Sequence, residues 1–98
     1  LEQLVKKISM APAEIFGLSP AKGTLFPGAD GDLTIIDPGT ESTISSSTLA
    51  SDSDYTPFEG MTVRYMPTHT VLRGSVVVEE GRYVGKPGVG SYISRKAA

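Results

Sequence analysis

Cysteine is absent from the chain, which removes disulfide frameworks, cysteine-ligated zinc and thiol nucleophiles together and favours a cytoplasmic setting. Histidine occurs once, at His69, so neither a His-x-His metal pair nor a Ser-His-Asp arrangement with a spare ligand can be assembled. Basic runs are missing too. Nine Lys and Arg stand against eleven Asp and Glu, and a chain so balanced lacks the electrostatic footprint of a nucleic-acid binder. No apolar stretch approaches the ~20 residues needed to cross a bilayer, and the N-terminus lacks the basic, apolar and small-residue succession of a signal peptide. Neither nucleic acid nor a membrane is expected as a partner. With 98 residues, the chain is one small domain or part of a larger one. A domain of this size buries only about 60–70% of the surface of its unfolded chain, so its core must be modest.

What is present begins with a helical stripe. Leu1, Leu4, Val5 and Ile8 recur at i, i+3, i+4 and i+7, the apolar face of an amphipathic helix with Lys6 and Lys7 on its solvated side. With no initiating Met and no N-cap before it, the stripe is expected to belong to a chain cut from a longer protein. This helix should end near Ile8, with Ser9 stopping it and capping a second, Met10 to Phe16. Pro12 suits the first turn of that second helix, Glu14 the positive end of its dipole, and Gly17 its left-handed C-terminus. Ile15, Phe16 and Leu18 supply a packing face.

Thr24-Leu25-Phe26 reads as a short strand ahead of the segment that organises the rest, Pro27 to Pro38. There Pro27-Gly28 and Asp30-Gly31 are turn chemistry, Leu33 to Ile36 is a strand, and Asp37-Pro38 ends it. From Gly39 to Asp54 serine, threonine and aspartate make a long surface connection with a little strand around Ser42 to Ser45. Tyr55 and Phe58 are expected to pin the following loop to a surface. Beyond Gly60 the period becomes two: Met61 to Tyr65 alternates, Pro67 breaks it, and Thr68 to Arg73 starts again. Gly74 marks a bulge or close approach within a continuing β segment, Ser75 to Glu79 is the most apolar strand, and Glu80-Gly81 is a hairpin turn returning through Arg82 to Val84. The glycine-rich end, from Gly85, should be extended, with Tyr92 and Ile93 as anchors. Three regions follow: helices over 1–18, strands over 19–84 and a tail over 85–98.

Each candidate for chemistry has a plainer structural explanation. His69 lies between two threonines on a strand face with no titratable partner in its sequence surroundings. Asp30, Asp32 and Asp37 lack the later ligands of a calcium loop and suit turns, where their side chains accept bonds from backbone N–H groups. Gly85, Gly88 and Gly90 lack the Lys-Ser or Lys-Thr pair and the strand-to-helix setting of a phosphate cradle. Tyr55 and Phe58 have no basic patch beside them with which to stack a nucleic-acid base. No catalytic, cofactor-binding or metal-binding residue is assigned.

In ordered succession, however, these motifs resemble a family. Ser9-Met10-Ala11-Pro12-Ala13-Glu14-Ile15-Phe16-Gly17-Leu18, Lys22-Gly23-Thr24, and Gly28-Ala29-Asp30-Gly31-Asp32-Leu33 with Ile35-Ile36-Asp37-Pro38 look like the C-terminal region of cyclic amidohydrolases. That group includes dihydropyrimidinase, hydantoinase, allantoinase and dihydroorotase. Tyr55 to Met61, Arg73 to Val77, Glu79-Glu80-Gly81 and Gly88 to Ile93 continue the hydantoinase and dihydropyrimidinase pattern, so the resemblance covers nearly the whole chain. Two departures stand out: Gly31 where alanine is usual, and Tyr65 where glycine is common.

The resemblance implies a mainly β fold, a partial β-sandwich preceded by one or two short helices. It also implies a longer enzyme in which a barrel, too large for this chain, holds two divalent metals, usually zinc, whose bound hydroxide attacks a cyclic amide. Those ligands lie upstream of the region resembled and none maps onto a residue here. The implied role is non-catalytic, serving stability and subunit contacts. The expected partners are the rest of the parent chain and further copies in a homo-oligomer. A stand-alone β module that binds a protein partner through its tail and the Tyr55–Phe58 loop is the alternative, and a degenerate relative without activity a third possibility.

Overall fold

A computed structural model describes residues 1–96. The chain opens with one helical stretch in three pieces: α1 (Glu2–Val5), a π-helical turn (Lys6–Met10) and α2 (Ala11–Ile15). Two helices separated at Ser9 are not what forms. Val5, Lys6, Met10 and Ala11 all keep right-handed helical backbone, and no side chain caps either junction. Pro12 accounts for the widened turn. A proline inside a regular helix has no N–H for the carbonyl four residues back and its ring collides with that carbonyl. Widening the preceding turn, so that the Ala11 N–H bonds five residues back to the Lys6 carbonyl, lets the helix pass the proline. The stretch ends as the sequence predicts. Gly17 has φ +69°, its N–H reaches the Glu14 carbonyl (3.2 Å), and the Leu18 N–H reaches the Ala13 carbonyl (2.8 Å), a Schellman closure.

Thr24 to Phe26 forms no strand. The Phe26 carbonyl is used instead in the turn to Ala29 N (2.9 Å), and no neighbouring strand among the described residues offers a ladder. The sheet begins with β1 (Leu33–Asp37), and Asp37 closes it by accepting from Gly39 N (2.8 Å) and Thr40 Oγ1 (2.6 Å).

Next come β2 (Ser42–Thr43), β3 (Thr62–Val63), β4 (Met66–Leu72), β5 (Ser75–Glu79) and β6 (Arg82–Tyr83). Among the described residues they form an antiparallel sheet in the order β1-β4-β5-β6 and a separate β2–β3 pair. Tyr65 lies on no strand. It sits between the two sheets at φ +63°, where the chain leaves β3 and turns into β4. What tyrosine brings to this position is backbone strain, since a bulky side chain at positive φ is uncommon and costly.

Pro67 does not break the strand but lies inside β4. Ile35 faces His69 and Ile36 faces Pro67, so Thr68 is an extra residue and the proline falls at the bulge, where the ladder is already interrupted. Gly74 is likewise no interruption of a longer strand. With Arg73 at φ +46° and Gly74 at φ +81° between the paired Leu72 and Ser75, it completes a two-residue hairpin of the I′ kind. Glu80 (φ +48°) and Gly81 (φ +75°) repeat that geometry between Glu79 and Arg82, as predicted.

These elements enclose almost nothing. Among the described residues the one buried apolar side chain is Ala13, 5% exposed, held under the loop at Gly23, where an added Cβ would come within 2.6 Å of the Ala13 Cβ. Leu4, Val5, Ile8, Ile15 and Phe16 all face outward. The accessible surface is 7943 Å², against about 5,400 Å² for a folded monomer of this mass. The radius of gyration is 15.3 Å, against about 13 Å for a compact domain of this length.

Candidate functional site

The densest polar chemistry lies around the turn before β1. Lys22 enters it from the loop after the helix, where the Lys22 N–H bonds the Leu18 carbonyl (3.0 Å). Its ammonium group pairs with Asp30 at 2.8 Å and donates to Asp32 Oδ2. The turn is fixed locally by Asp30 N to the Ala21 carbonyl (2.9 Å) and Asp32 N to the Asp30 carbonyl (2.8 Å). It is fixed at long range by the β4–β5 hairpin, whose Arg73 N–H donates to Asp32 Oδ1 (2.7 Å) while Gly74 N–H donates to the Gly31 carbonyl (2.9 Å). Asp32 thus caps a turn as expected, but the one backbone N–H it satisfies, that of Arg73, belongs to a distant hairpin.

An alanine at position 31 would bring its Cβ to 3.2 Å from Gly74 N. The glycine found there suits the close approach of the two turns.

The electrostatics follow from these contacts. The Lys22 hydrogen bond, with the Arg73 N–H behind it, holds the Asp32 carboxyl below its ordinary value. The two carboxylates raise Lys22 above its own. Arg73 extends the cluster, since its guanidinium donates to the Val89 carbonyl in the tail.

This constellation does not fit a metal. A cation already occupies the space between Asp30 and Asp32, a backbone N–H takes the remaining face of Asp32, and no group of three possible ligands gathers among the described residues. The other carboxylates and His69 are dispersed. Asp37 ends its strand, held below the ordinary carboxylate value by Thr40 and Gly39. Glu59 is similarly lowered, accepting from Ser46 N at 2.7 Å. The half-buried His69 has Nδ1 3.0 Å from Thr68 Oγ1.

Tyr55 and Phe58 are 73% and 55% exposed, so the expected burial of both rings is not seen among the described residues. Tyr92 is 92% exposed and anchors nothing among the described residues. The tail nevertheless has a course. Gly85 N bonds the Val77 carbonyl (3.1 Å), and Lys96 N bonds the Gly17 carbonyl (2.9 Å) so closely that a Cβ on Gly17 would stand 2.4 Å from the Lys96 carbonyl oxygen. Ala97 and Ala98, the end of the predicted 85–98 tail, lie outside the described residues. Lys22 and Arg73 escaped the sequence reading, because ion pairing between a loop and a hairpin turn leaves no periodicity to detect.

The chain thus combines ordered strands and satisfied turns with bare apolar faces. It belongs to the amidohydrolase family, which it matches over residues 1–77. Among its relatives, the D-hydantoinase of Geobacillus stearothermophilus is 47% identical over 95 residues, and the D-phenylhydantoinase of Escherichia coli O1:K1 is 42% identical over 96. These alignments take in 97% and 98% of this chain but 20% and 21% of the relatives. Solved structures agree. A D-hydantoinase superposes with a TM-score of 0.95 at 38% identity, covering 98% of this chain and 21% of its own. The dihydropyrimidinase of Brevibacillus agri NCHU1002 superposes with 0.94 at 40% identity, covering 97% and 21%. The chain therefore spans about a fifth of the length of the proteins it matches.

Proposed function

We propose that this chain is the C-terminal, non-catalytic segment of a metal-dependent hydrolase of cyclic amides of the hydantoinase and dihydropyrimidinase kind. In this reading its strands complete a small β-sandwich with others supplied from elsewhere in the protein, and its helix flanks a catalytic barrel. The carrying observation is the bare apolar surface: twenty large hydrophobic side chains stay exposed while Ala13 alone is buried among the described residues. At about 25 cal/mol per Å² of apolar area, covering apolar surface equal to half of the roughly 2,500 Å² excess would supply tens of kcal/mol. The segment's role is then to stabilise the barrel and to meet neighbouring subunits of a homo-oligomer, in a cytoplasmic enzyme. Its own polar groups serve turns and ion pairs, so the metal ions, two zincs in the enzymes it resembles, are held by residues outside it.

The test is complementation. The chain alone should hydrolyse neither hydantoin nor dihydrouracil. Mixed or co-expressed with the remaining part of a parent amidohydrolase, it should restore hydrolysis that the remaining part lacks alone. Hydrolysis by the isolated chain would sink this reading.

A further inference from the structure

The tail after β6 crosses the molecule as a strap, and the contacts that hold it begin far from it. Its root is fixed at Gly85 and its far end at Gly17. Between them it is tied by the Arg73 guanidinium, which bonds the Val89 carbonyl over an open cleft of about 400 Å³ lined by Leu72, Val76, Val84 and Lys86. Arg73 can hold that position only while its own backbone is fixed. It occupies the first turn position of the β4–β5 hairpin at φ +46°, a conformation unfavourable for a side chain of its size. The Asp32 carboxylate accepts the N–H of this same residue, and Lys22 clamps the carboxylate in turn.

We propose that Lys22, Asp32 and Arg73 form a latch that couples the turn before β1 to the seating of the C-terminal strap, with Arg73 the positioning residue joining them. Its backbone senses Asp32 and its side chain holds Val89. Coupling of this kind is reciprocal, so a seated strap also stabilises the Asp32 turn. The strap is thereby a two-position element, seated or released, whose balance is set by a carboxylate that never touches it.

The experiment is amide hydrogen exchange on the intact protein that carries this chain, comparing the strap amide of Lys96 with the Gly81 amide, which bonds the Thr68 carbonyl (2.9 Å) in the sheet. Asp32→Ala, which removes the acceptor of the Arg73 N–H, and Arg73→Gln should each accelerate Lys96 exchange about tenfold relative to Gly81. The double variant should go no further than the faster single one, because both break the same latch. Lys22→Gln, which leaves the Asp32 carboxylate in place for Arg73, should give a smaller acceleration. Unchanged Lys96 exchange in Asp32→Ala, additive effects in the double variant, or equal acceleration of both amides through general opening would each overturn the proposal.

Discussion

Asp32 holds three separate segments at a single side chain: its own turn, the Lys22 loop and the β4–β5 hairpin. Replacing it with alanine leaves the Arg73 N–H without its acceptor and Lys22 with one carboxylate instead of two. The expected cost is about 1–2 kcal/mol, the usual penalty for a partly buried polar group that loses its partner, read by chemical denaturation of the intact protein. The pH dependence has a definite sign at each end. Asp32 is lowered from 3.8, so its contribution is complete above that ordinary value and is lost as pH falls through the folded one. Lys22 is raised from 10.5, so its contribution is complete below that value and is lost as pH rises through the higher folded one. The stability difference between the native protein and Asp32→Ala should be level from about pH 5 to 9 and shrink on both sides. A difference that grew on acidification would contradict the pairing.

At the level of elements, the turns carry the strain. Tyr65 takes φ +63° where β3 gives way to β4, and with the residue 53% exposed its packing compensates only in part. Tyr65→Gly should stabilise the protein by about 1 kcal/mol, the left-handed cost relieved less the extra freedom of glycine in the unfolded chain. A denaturation midpoint that fell would show that the tyrosine ring is packed in the assembled protein.

Much of this level was legible in the sequence, because local chemistry dictates it. Gly17 ends the helix, Asp37 ends β1, and Glu80-Gly81 turns a hairpin, each through a conformation or bond that one or two residues determine. The misses share a different cause. Pro12 and Pro67 both signal a break in isolation, and both are absorbed by a one-residue irregularity, a π turn in the helix and a bulge at Thr68. Leu25 and Phe26 read as strand from composition, yet a strand needs a neighbour and none is present among the described residues. The Lys22–Asp32–Arg73 junction was invisible because its members meet only through the fold.

At the scale of the whole molecule, surface decides behaviour. A chain that leaves about half again the expected area open, with the far edge of β1 unpaired among the described residues, has strong reason to associate. In isolation it should form dimers or larger species in sedimentation velocity and bind an apolar dye. On the function proposed above, supplying the remaining part of an amidohydrolase should abolish both signals. A monodisperse monomer with strong amide protection throughout would show that the chain is self-sufficient after all.

The β2–β3 pair has one further consequence. Ser42 lies opposite Val63 across a single ladder spacing, and the serine-rich stretch between them is closed on itself by Gly60 N to the Ile44 carbonyl (2.8 Å) and Ser46 N to Glu59 (2.7 Å). The stretch is therefore tied to its own strand pair, and a longer or shorter version should leave the register of β1 on β4 unaltered. A reporter spliced into it should therefore disturb the four-stranded sheet little.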